Sequence, residues 1–263
     1  MNCKNCNNTL KASQKFCDEC GAKIIQNRLK PKVIAHQINE QFISIDNKFF
    51  RTFIDLFRQP ETVIVGYING TRKKYIDVLQ YFAISLTFAG LQVFLISTFF
   101  KDAIDADMLV LENLLGSISQ DENTPFKTMD FDGINKYQTL IYIIGIPFST
   151  TSTWLAYFIA GKRQYNFTEH LVLNLYYNAQ IIIITVIISI LLLVFGINYF
   201  IVSGIITVLI FAYLFYTLRR IFKTTFWYSV LYFLLIGASY VIITTVLSII
   251  SVIIVLSIAL LIK

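Results

Sequence analysis

Four long stretches of the chain carry no charged side chain, and they constrain its fold more than any other feature. They span residues 78–100, 137–161, 171–218 and 224–262. A bilayer core about 30 Å thick is crossed by roughly 20 apolar residues of helix, so the first two stretches each have the length of one membrane span. The sequence therefore predicts an all-α polytopic membrane protein.

The two remaining stretches are longer than a single span. A helix over 171–218 would be about 72 Å long, so two spans are predicted there, 171–195 and 199–218, separated by the turn-forming residues 196–198. The last stretch, 224–262, is also too long for one upright span, but nothing near its middle would break a helix. One long helix that is tilted or projects from the membrane gives five spans, and six spans stay open.

The composition agrees with this fold class. Of 263 residues, 56% are hydrophobic and 14% are charged, whereas an ordinary soluble domain has about 45–50% and 25%. Disordered, collagen-like and small disulfide-rich proteins are excluded by these values.

The distribution of basic residues predicts the orientation. Residues 1–77 contain 13 of the 22 Lys and Arg, and the acidic loop 101–136 contains eight acids against three Lys. Because positive charge accumulates on the cytoplasmic side, we expect a cytoplasmic N-terminus in the bacterial inner membrane, with 101–136 as an outer loop. Three basic residues directly before the first span are expected at the lipid headgroups: Arg72, Lys73 and Lys74.

All four cysteines lie near the N-terminus as two CxxC pairs, Cys3 with Cys6 and Cys17 with Cys20. Two such pairs are typical of a four-thiolate zinc ribbon, predicted here over residues 1–25. The protein would supply all four ligands, so the Zn²⁺ would be structural. A unit this small cannot bury enough surface to fold alone, so the metal would form its core.

Other readings of the cysteines fit less well. Two disulfides conflict with a reducing cytoplasm, and a redox CxxC would be expected in a βαβ context that this segment lacks. Nucleic-acid binding is not favoured either, because few aromatic residues are interleaved with the basic ones of the head.

Between the head and the first span, the sequence predicts a linker at 26–36 and amphipathic helices within 37–77. Apolar and aromatic residues recur there at helical spacing, with basic residues on the remaining surface. This pattern fits a helix lying in the membrane interface. A soluble helix packed on the ribbon is the alternative.

Polar residues cluster at the start of the third span, and such residues are costly inside a membrane. His170, Asn174 and Asn178 share one helix face, and Asn166 with Glu169 could form an N-terminal cap. Hydrogen bonding between helices explains the three residues on that face. The alternative is a vestibule facing the cytoplasm that accepts an ion, a proton or a lipid headgroup.

Three segments carry a resemblance to a known family. The head with FCDECG, the segment TFIDLFRQPETVIVGYINGTRKKYIDVLQYFAIS, and GKRQYNFTEHLVLNLYYNAQ are similar to a bacterial family of zinc-ribbon multipass proteins catalogued as domain of unknown function 3667. The resemblance implies an integral membrane protein with a ribbon and no assigned reaction. The span count and the polar start of the third span also resemble Yip1-type five-span membrane proteins.

Catalytic signatures are absent from the sequence. It contains no Walker A loop, GxSxG or HExxH, and its two histidines are His36 and His170. We therefore expect a non-enzymatic adaptor or scaffold whose ribbon binds a cytoplasmic protein. A transporter or channel for an ion or small solute, using the polar face of the third span, is the alternative. An intramembrane enzyme would have only Glu169 beside His170 as a second ionisable group.

Overall fold

The computed structural model describes residues 2–11, 14–22, 24, 48–101 and 137–261. The chain divides into two compact units, Met1–Asn47 and Lys48–Lys263. The predicted linker 26–36, the first part of the predicted amphipathic segment and nearly all of the acidic loop 101–136 lie outside the described residues.

In the described ranges of the second unit, every regular element is an α-helix. Residues 48–58 form helix α1. The helices that follow are α2 (Pro60–Ile68), α3 (Val78–Phe99), α4 (Gln138–Ile159), α5 (Phe167–Val194), α6 (Tyr199–Phe222) and α7 (Phe226–Leu261).

Within the described ranges, five helices, α3 to α7, are long and apolar enough to cross a membrane. Helix α5 is central. In its most apolar stretch of 18 residues 61% is buried, whereas the buried share of the same stretch in the other four helices is 11–28%. It packs against α2, α3, α4 and α6, and α7 packs mainly on α4. The predicted fold class, an all-α membrane protein with five spans, is confirmed.

Two of the span boundaries follow from local turn chemistry. The third charge-free stretch breaks after Val194, where Gly196 has a φ of 72°, in the left-handed region that glycine enters without a steric penalty. Helix α7 runs unbroken from Phe226 to Leu261, which favours five spans over six. Helix α5 begins four residues before the predicted span, because Asn166 and Glu169 form a capping box outside the charge-free stretch.

One end of the bundle collects basic side chains, and we call it the basic end. Since consecutive spans alternate in direction, the starts of α3, α5 and α7 share this end with α1 and α2. The turn at the opposite end, residues 195–198, contains no charged residue. Apart from those of α1, the basic residues at the basic end are Arg72, Lys73, Lys74, Lys162, Arg163, Arg219, Arg220 and Lys223.

Helix α1 packs on the membrane helices. Its inward face includes Thr52 and Leu56, which are fully buried. The Leu56 carbonyl accepts a hydrogen bond from the Tyr213 hydroxyl at 3.0 Å, and the Arg58 carbonyl accepts one from Tyr216 at 2.8 Å. These hydroxyls satisfy carbonyls that the end of a helix leaves without an intrahelical partner. A second face of α1 stays exposed and apolar, with Phe50, Ile54 and Phe57.

Helix α1 has features both of a helix at a membrane interface and of a helix packed on the other helices of its unit. An exposed apolar stripe beside exposed Arg51 and Arg58 is the pattern expected at a membrane interface. The hydrogen bonds from α6 add a fixed attachment, which the periodicity of the sequence did not predict. A third bond, from the Gln180 side-chain amide of α5 to the Phe53 carbonyl, measures 3.1 Å.

Candidate metal centre

Each CxxC pair of the first unit is folded into a tight turn, and the two turns have the same hydrogen bonds. In the first turn, Asn7 N–H donates to the Cys3 carbonyl (2.9 Å) and Cys3 N–H donates to the Asn8 carbonyl (2.8 Å). In the second, Gly21 N–H donates to the Cys17 carbonyl (3.0 Å), and Cys17 N–H to the Ala22 carbonyl (2.9 Å). The repeated pattern aims both sulfurs of each pair to the same side of their turn.

Both turns close on a residue with positive φ. Gly21 has a φ of 69°, as the glycine after the last cysteine predicts. Asn7, at the equivalent position of the first turn, has a φ of 59°. Asparagine is among the few residues with a side chain that adopt this conformation readily. The role of Asn7 was not predicted from the sequence, although its placement directly after Cys6 is the available signal.

The two turns bring all four sulfurs together. The Sγ atoms lie within 4.8 Å of one another, with Cys3 to Cys20 and Cys6 to Cys17 both at 3.6 Å. Four sulfurs placed tetrahedrally about 2.3 Å from one ion would be about 3.8 Å apart, whereas disulfide sulfurs are about 2.05 Å apart. The four cysteines are therefore arranged in a way that is compatible with a metal ion.

The surroundings of the sulfurs are small and partly apolar. Cys3, Cys17 and Leu10 are buried together, and Ala22 and Ile24 pack against them. The backbone N–H of Ala22 points to the Cys20 sulfur, and this hydrogen bond is the main reason that the pKa of the Cys20 thiol is lowered to about 6. The pKa of the Cys6 thiol is raised instead, to about 12, mainly by hydrogen bonding to Cys20, so the negative charge of the metal-free cluster is held first at Cys20. The chemistry of the donor set fits a closed, soft-metal site.

The predicted polar face of the third span lies on α5, and its side-chain amides donate hydrogen bonds to α4 and to α5 itself. Asn174 is buried, and its side-chain amide donates to the Thr153 hydroxyl of α4 and to the His170 carbonyl, both at 2.8 Å. The Asn178 amide donates to the Asn174 carbonyl, also at 2.8 Å. These bonds join α5 to α4 and to its own backbone.

Glu169 and His170, the other two members of the polar cluster predicted at the start of the third span, have different surroundings. The Glu169 carboxylate accepts from Asn166 N–H at 2.7 Å, and the Asn166 side chain accepts from Glu169 N–H at 2.9 Å. This is the N-terminal cap that the spacing predicts. His170 is 1% exposed and lies among the rings of Tyr157, Tyr165 and Phe222. Its Nδ1 has no hydrogen-bond partner within the described ranges.

Buried tyrosines join elements of the bundle through their hydroxyl groups, which was not predicted from the sequence. The Tyr81 hydroxyl of α3 bonds to the Gln180 side chain, and the Tyr176 hydroxyl donates to the Ile76 carbonyl at 2.7 Å. Tyr81 and Tyr176 are both fully buried. The general rule that a buried tyrosine needs a partner for its hydroxyl was the available signal, but the sequence does not identify the partner.

The predicted headgroup residues Arg72, Lys73 and Lys74 are exposed at the basic end. The Arg72 guanidinium lies 5.4 Å from the centre of the Tyr67 ring, and the Lys74 ammonium lies 4.9 Å from that of Tyr75. Cations over aromatic rings at the end of a span are a typical arrangement at a membrane surface.

The fold and the cysteine cluster define a multipass membrane protein with a small N-terminal unit suited to hold a metal. Residues 46–90 match the model of a family described as protein of unknown function (DUF3667). The match covers α1, α2 and the first half of α3, and it confirms the resemblance noted from the sequence over this segment. No curated protein and no solved structure matches the chain. The similarity to Yip1-type proteins stays a prediction.

Proposed function

We propose that this protein is a non-enzymatic membrane-anchored adaptor whose N-terminal ribbon, held by a structural Zn²⁺, binds a cytoplasmic protein. The observation that carries the proposal is the closed set of four sulfurs within 4.8 Å of one another. A metal with four protein ligands has no open position for a substrate, so its contribution is to hold the ribbon in shape.

The choice of zinc rests on the ligand set. Four thiolates within 4.8 Å of one another suit Zn²⁺, and a reducing compartment keeps the thiols available. The cytoplasmic side is inferred from the basic end, because positive residues accumulate on that side of bacterial membranes. The first unit precedes α1, and the chain enters α3 from the basic end.

The ribbon offers an apolar contact point for a partner. Phe16, directly before the second CxxC pair, is 57% exposed. An exposed aromatic ring on a rigid, metal-held turn is the kind of anchor that dominates protein–protein interfaces. The partner is inferred as a protein because the head lacks the alternating aromatic and basic residues of nucleic-acid binders.

The alternative, a transporter or channel, has less support. It needs a wet cavity that reaches the polar face of α5, but the Asn174 amide is buried and bonded to α4 and to its own backbone. In the adaptor proposal, the polar face of α5 serves only to pack the helices together. We therefore expect that the full-length protein in liposomes conducts no small ions above the rate of empty vesicles.

A photo-crosslinking experiment tests the adaptor proposal. A photoreactive phenylalanine analogue replaces Phe16 in the full-length protein, expressed in a bacterial membrane. We expect one or a few discrete adducts with soluble proteins. A matched chain carries the analogue at Phe226, an exposed residue at the start of α7, and should form none of these adducts.

The metal dependence of the adducts distinguishes a folded docking surface from non-specific contact. The combined Cys3→Ser and Cys17→Ser changes should abolish the adducts at Phe16 while leaving the amount of protein in the membrane unchanged. Adducts that persist in this variant, or their complete absence from the starting protein, would contradict the adaptor proposal.

A further inference from the structure

A cleft of about 460 Å³ opens at the basic end of the membrane unit. Its volume is within the range of about 300–1,000 Å³ that is typical of small-molecule sites. It lies between the first turn of α2 and the junction of α6 with α7. Its lining residues are Glu61, Tyr216, Arg219, Arg220, Lys223 and Thr224.

The charges of the cleft do not balance. Glu61 and Arg220 form a two-bond ion pair, Nε to Oε2 at 3.0 Å and an Nη to Oε1 at 2.6 Å. Glu61 is the one acid among the lining residues. The pair therefore closes one wall, and among the described residues that line the cleft no second carboxylate is present for Arg219 and Lys223. Excess positive charge in a concave surface favours an anionic ligand.

Lys223 occupies a backbone position that glycine would adopt more easily. The turns after α4 and α5 each contain a glycine with positive φ, Gly161 at 74° and Gly196 at 72°. In the turn after α6 the residue with positive φ is Lys223, at 49°, directly after Phe222. Non-glycine residues other than Asn and Asp rarely adopt this conformation. The chain thus places a cation in a conformation for which the turns after α4 and α5 use glycine.

The cleft lies at the ends of two candidate spans, where lipid headgroups are expected. The candidate span of α6 ends at Phe222, and that of α7 begins at Phe226. At the start of α7, Trp227 is 78% exposed and Tyr228 is also exposed, as expected for the aromatic belt at a membrane–water interface. Anionic headgroups and soluble phosphate compounds both reach this depth.

We propose that this cleft binds a phosphate group, which Arg219 and Lys223 contact directly. The guanidinium of Arg219 offers paired donors to phosphate oxygens, and the ammonium of Lys223 adds a second positive charge. The Glu61–Arg220 pair holds α2 against α6 and so fixes the wall of the cleft. The phosphate belongs either to an anionic lipid headgroup or to a soluble phosphate, and the site is separate from the ribbon.

Equilibrium titration of the full-length protein, purified in an uncharged detergent, tests the proposal with two probes. One is dioctanoyl phosphatidic acid, and the other is inorganic phosphate. We expect at least one of them to bind with a stoichiometry of one per chain. Binding of the lipid alone assigns the site to a headgroup, and competition by phosphate at similar concentration assigns it to a soluble phosphate.

The variants remove charge without disturbing the turn. Lys223→Asn keeps a residue that tolerates positive φ, and Arg219→Gln keeps a long polar side chain. Each should lower affinity about tenfold, the effect of losing one charge-assisted hydrogen bond. The matched control changes Lys162→Gln and Arg163→Gln together, which removes two charges from the basic end outside the cleft. Its affinity should stay within about twofold.

Two results would overturn the proposal. One is the absence of saturable binding by either probe. The other is an equal loss of affinity in the control and in the cleft variants, which would assign the binding to the general positive charge of the basic end. Because Lys223→Gly also relieves the positive φ, its thermal stability should equal or exceed that of the unchanged protein, so its loss of binding cannot be attributed to misfolding.

Discussion

Asn7 and Gly21 occupy equivalent positions in the two CxxC turns. Each donates its N–H to the carbonyl of the first cysteine of its pair, and each has a positive φ, 59° and 69°. The two turns are therefore copies of one backbone conformation, and the metal centre depends on both being closed in this way. A side chain that resists positive φ should weaken metal binding at either position.

Gly21→Val tests this dependence. A β-branched residue in the left-handed region costs about 1–2 kcal/mol, so the affinity for Zn²⁺ should fall about 5- to 30-fold in a competition titration with a chromophoric chelator. Asn7→Gly is the matched control and should leave the affinity equal or slightly higher. An affinity that does not change in Gly21→Val would show that the turn is not closed on this residue.

The low pKa of Cys20 predicts an order of reaction among the thiols. Hydrogen bonding, first from the Ala22 N–H and then from the Asn5 and Cys6 side chains, lowers this pKa from 9.0 to about 6, so we expect Cys20 to be a thiolate at pH 7. In metal-free full-length protein, iodoacetamide should therefore modify Cys20 first, as measured by peptide mass spectrometry.

The sign of the pH dependence follows from the lowered pKa. Above about pH 6 the thiolate is present and alkylation of Cys20 is fast, and as the pH falls through about 6 the thiol is protonated and the rate declines. A Cys20→Ser chain should lose the fast phase. A rate that declines only below pH 8 to 9, as for an ordinary thiol, would contradict the lowered pKa.

The hydrogen bond between Asn174 and Thr153 provides a test of the polar face on α5. A double-mutant cycle with Asn174→Ala and Thr153→Val should give a coupling free energy of about 0.6 kcal/mol, the average for such bonds between membrane helices. The free energy of unfolding is measured by titration with a denaturing detergent. Additive effects of the two changes would show that the bond contributes nothing to helix packing.

The docking of α1 should depend on two hydroxyls of α6. Tyr213→Phe leaves the Leu56 carbonyl without its partner, and Tyr216→Phe does the same for Arg58. We expect each change to cost about 1 kcal/mol and the pair to release α1, seen as faster hydrogen exchange over residues 48–58. Tyr228→Phe, at an exposed position of α7, should leave the exchange unchanged.

The membrane architecture could be predicted from the sequence because charge is excluded from the bilayer over whole helices. The break at residues 196–198 and the continuity of α7 both followed from local composition. The early start of α5 at Phe167 did not, because its capping box consists of polar residues outside the charge-free stretch. Local capping chemistry there determines the boundary more than hydropathy does.

Contacts between distant residues could not be predicted. Glu61 and Arg220 form an ion pair, and Gln180 reaches the Phe53 carbonyl, but neither pair has a spacing that a local rule can detect. The clustering of the four cysteines could be predicted, because each CxxC pair is local and two such pairs are typical of one site. Lys223 was unexpected as a helix end, since local rules favour glycine at positive φ.

Metal analysis with X-ray absorption spectroscopy on the full-length protein, purified from membranes, determines whether the four cysteines bind zinc. We expect one zinc per chain, bound by four sulfurs at about 2.3 Å, with the zinc lost when Cys3 and Cys17 are both changed to Ser. A chain purified under reducing conditions that contains no metal, or whose metal has nitrogen or oxygen ligands in place of the four sulfurs, would contradict it.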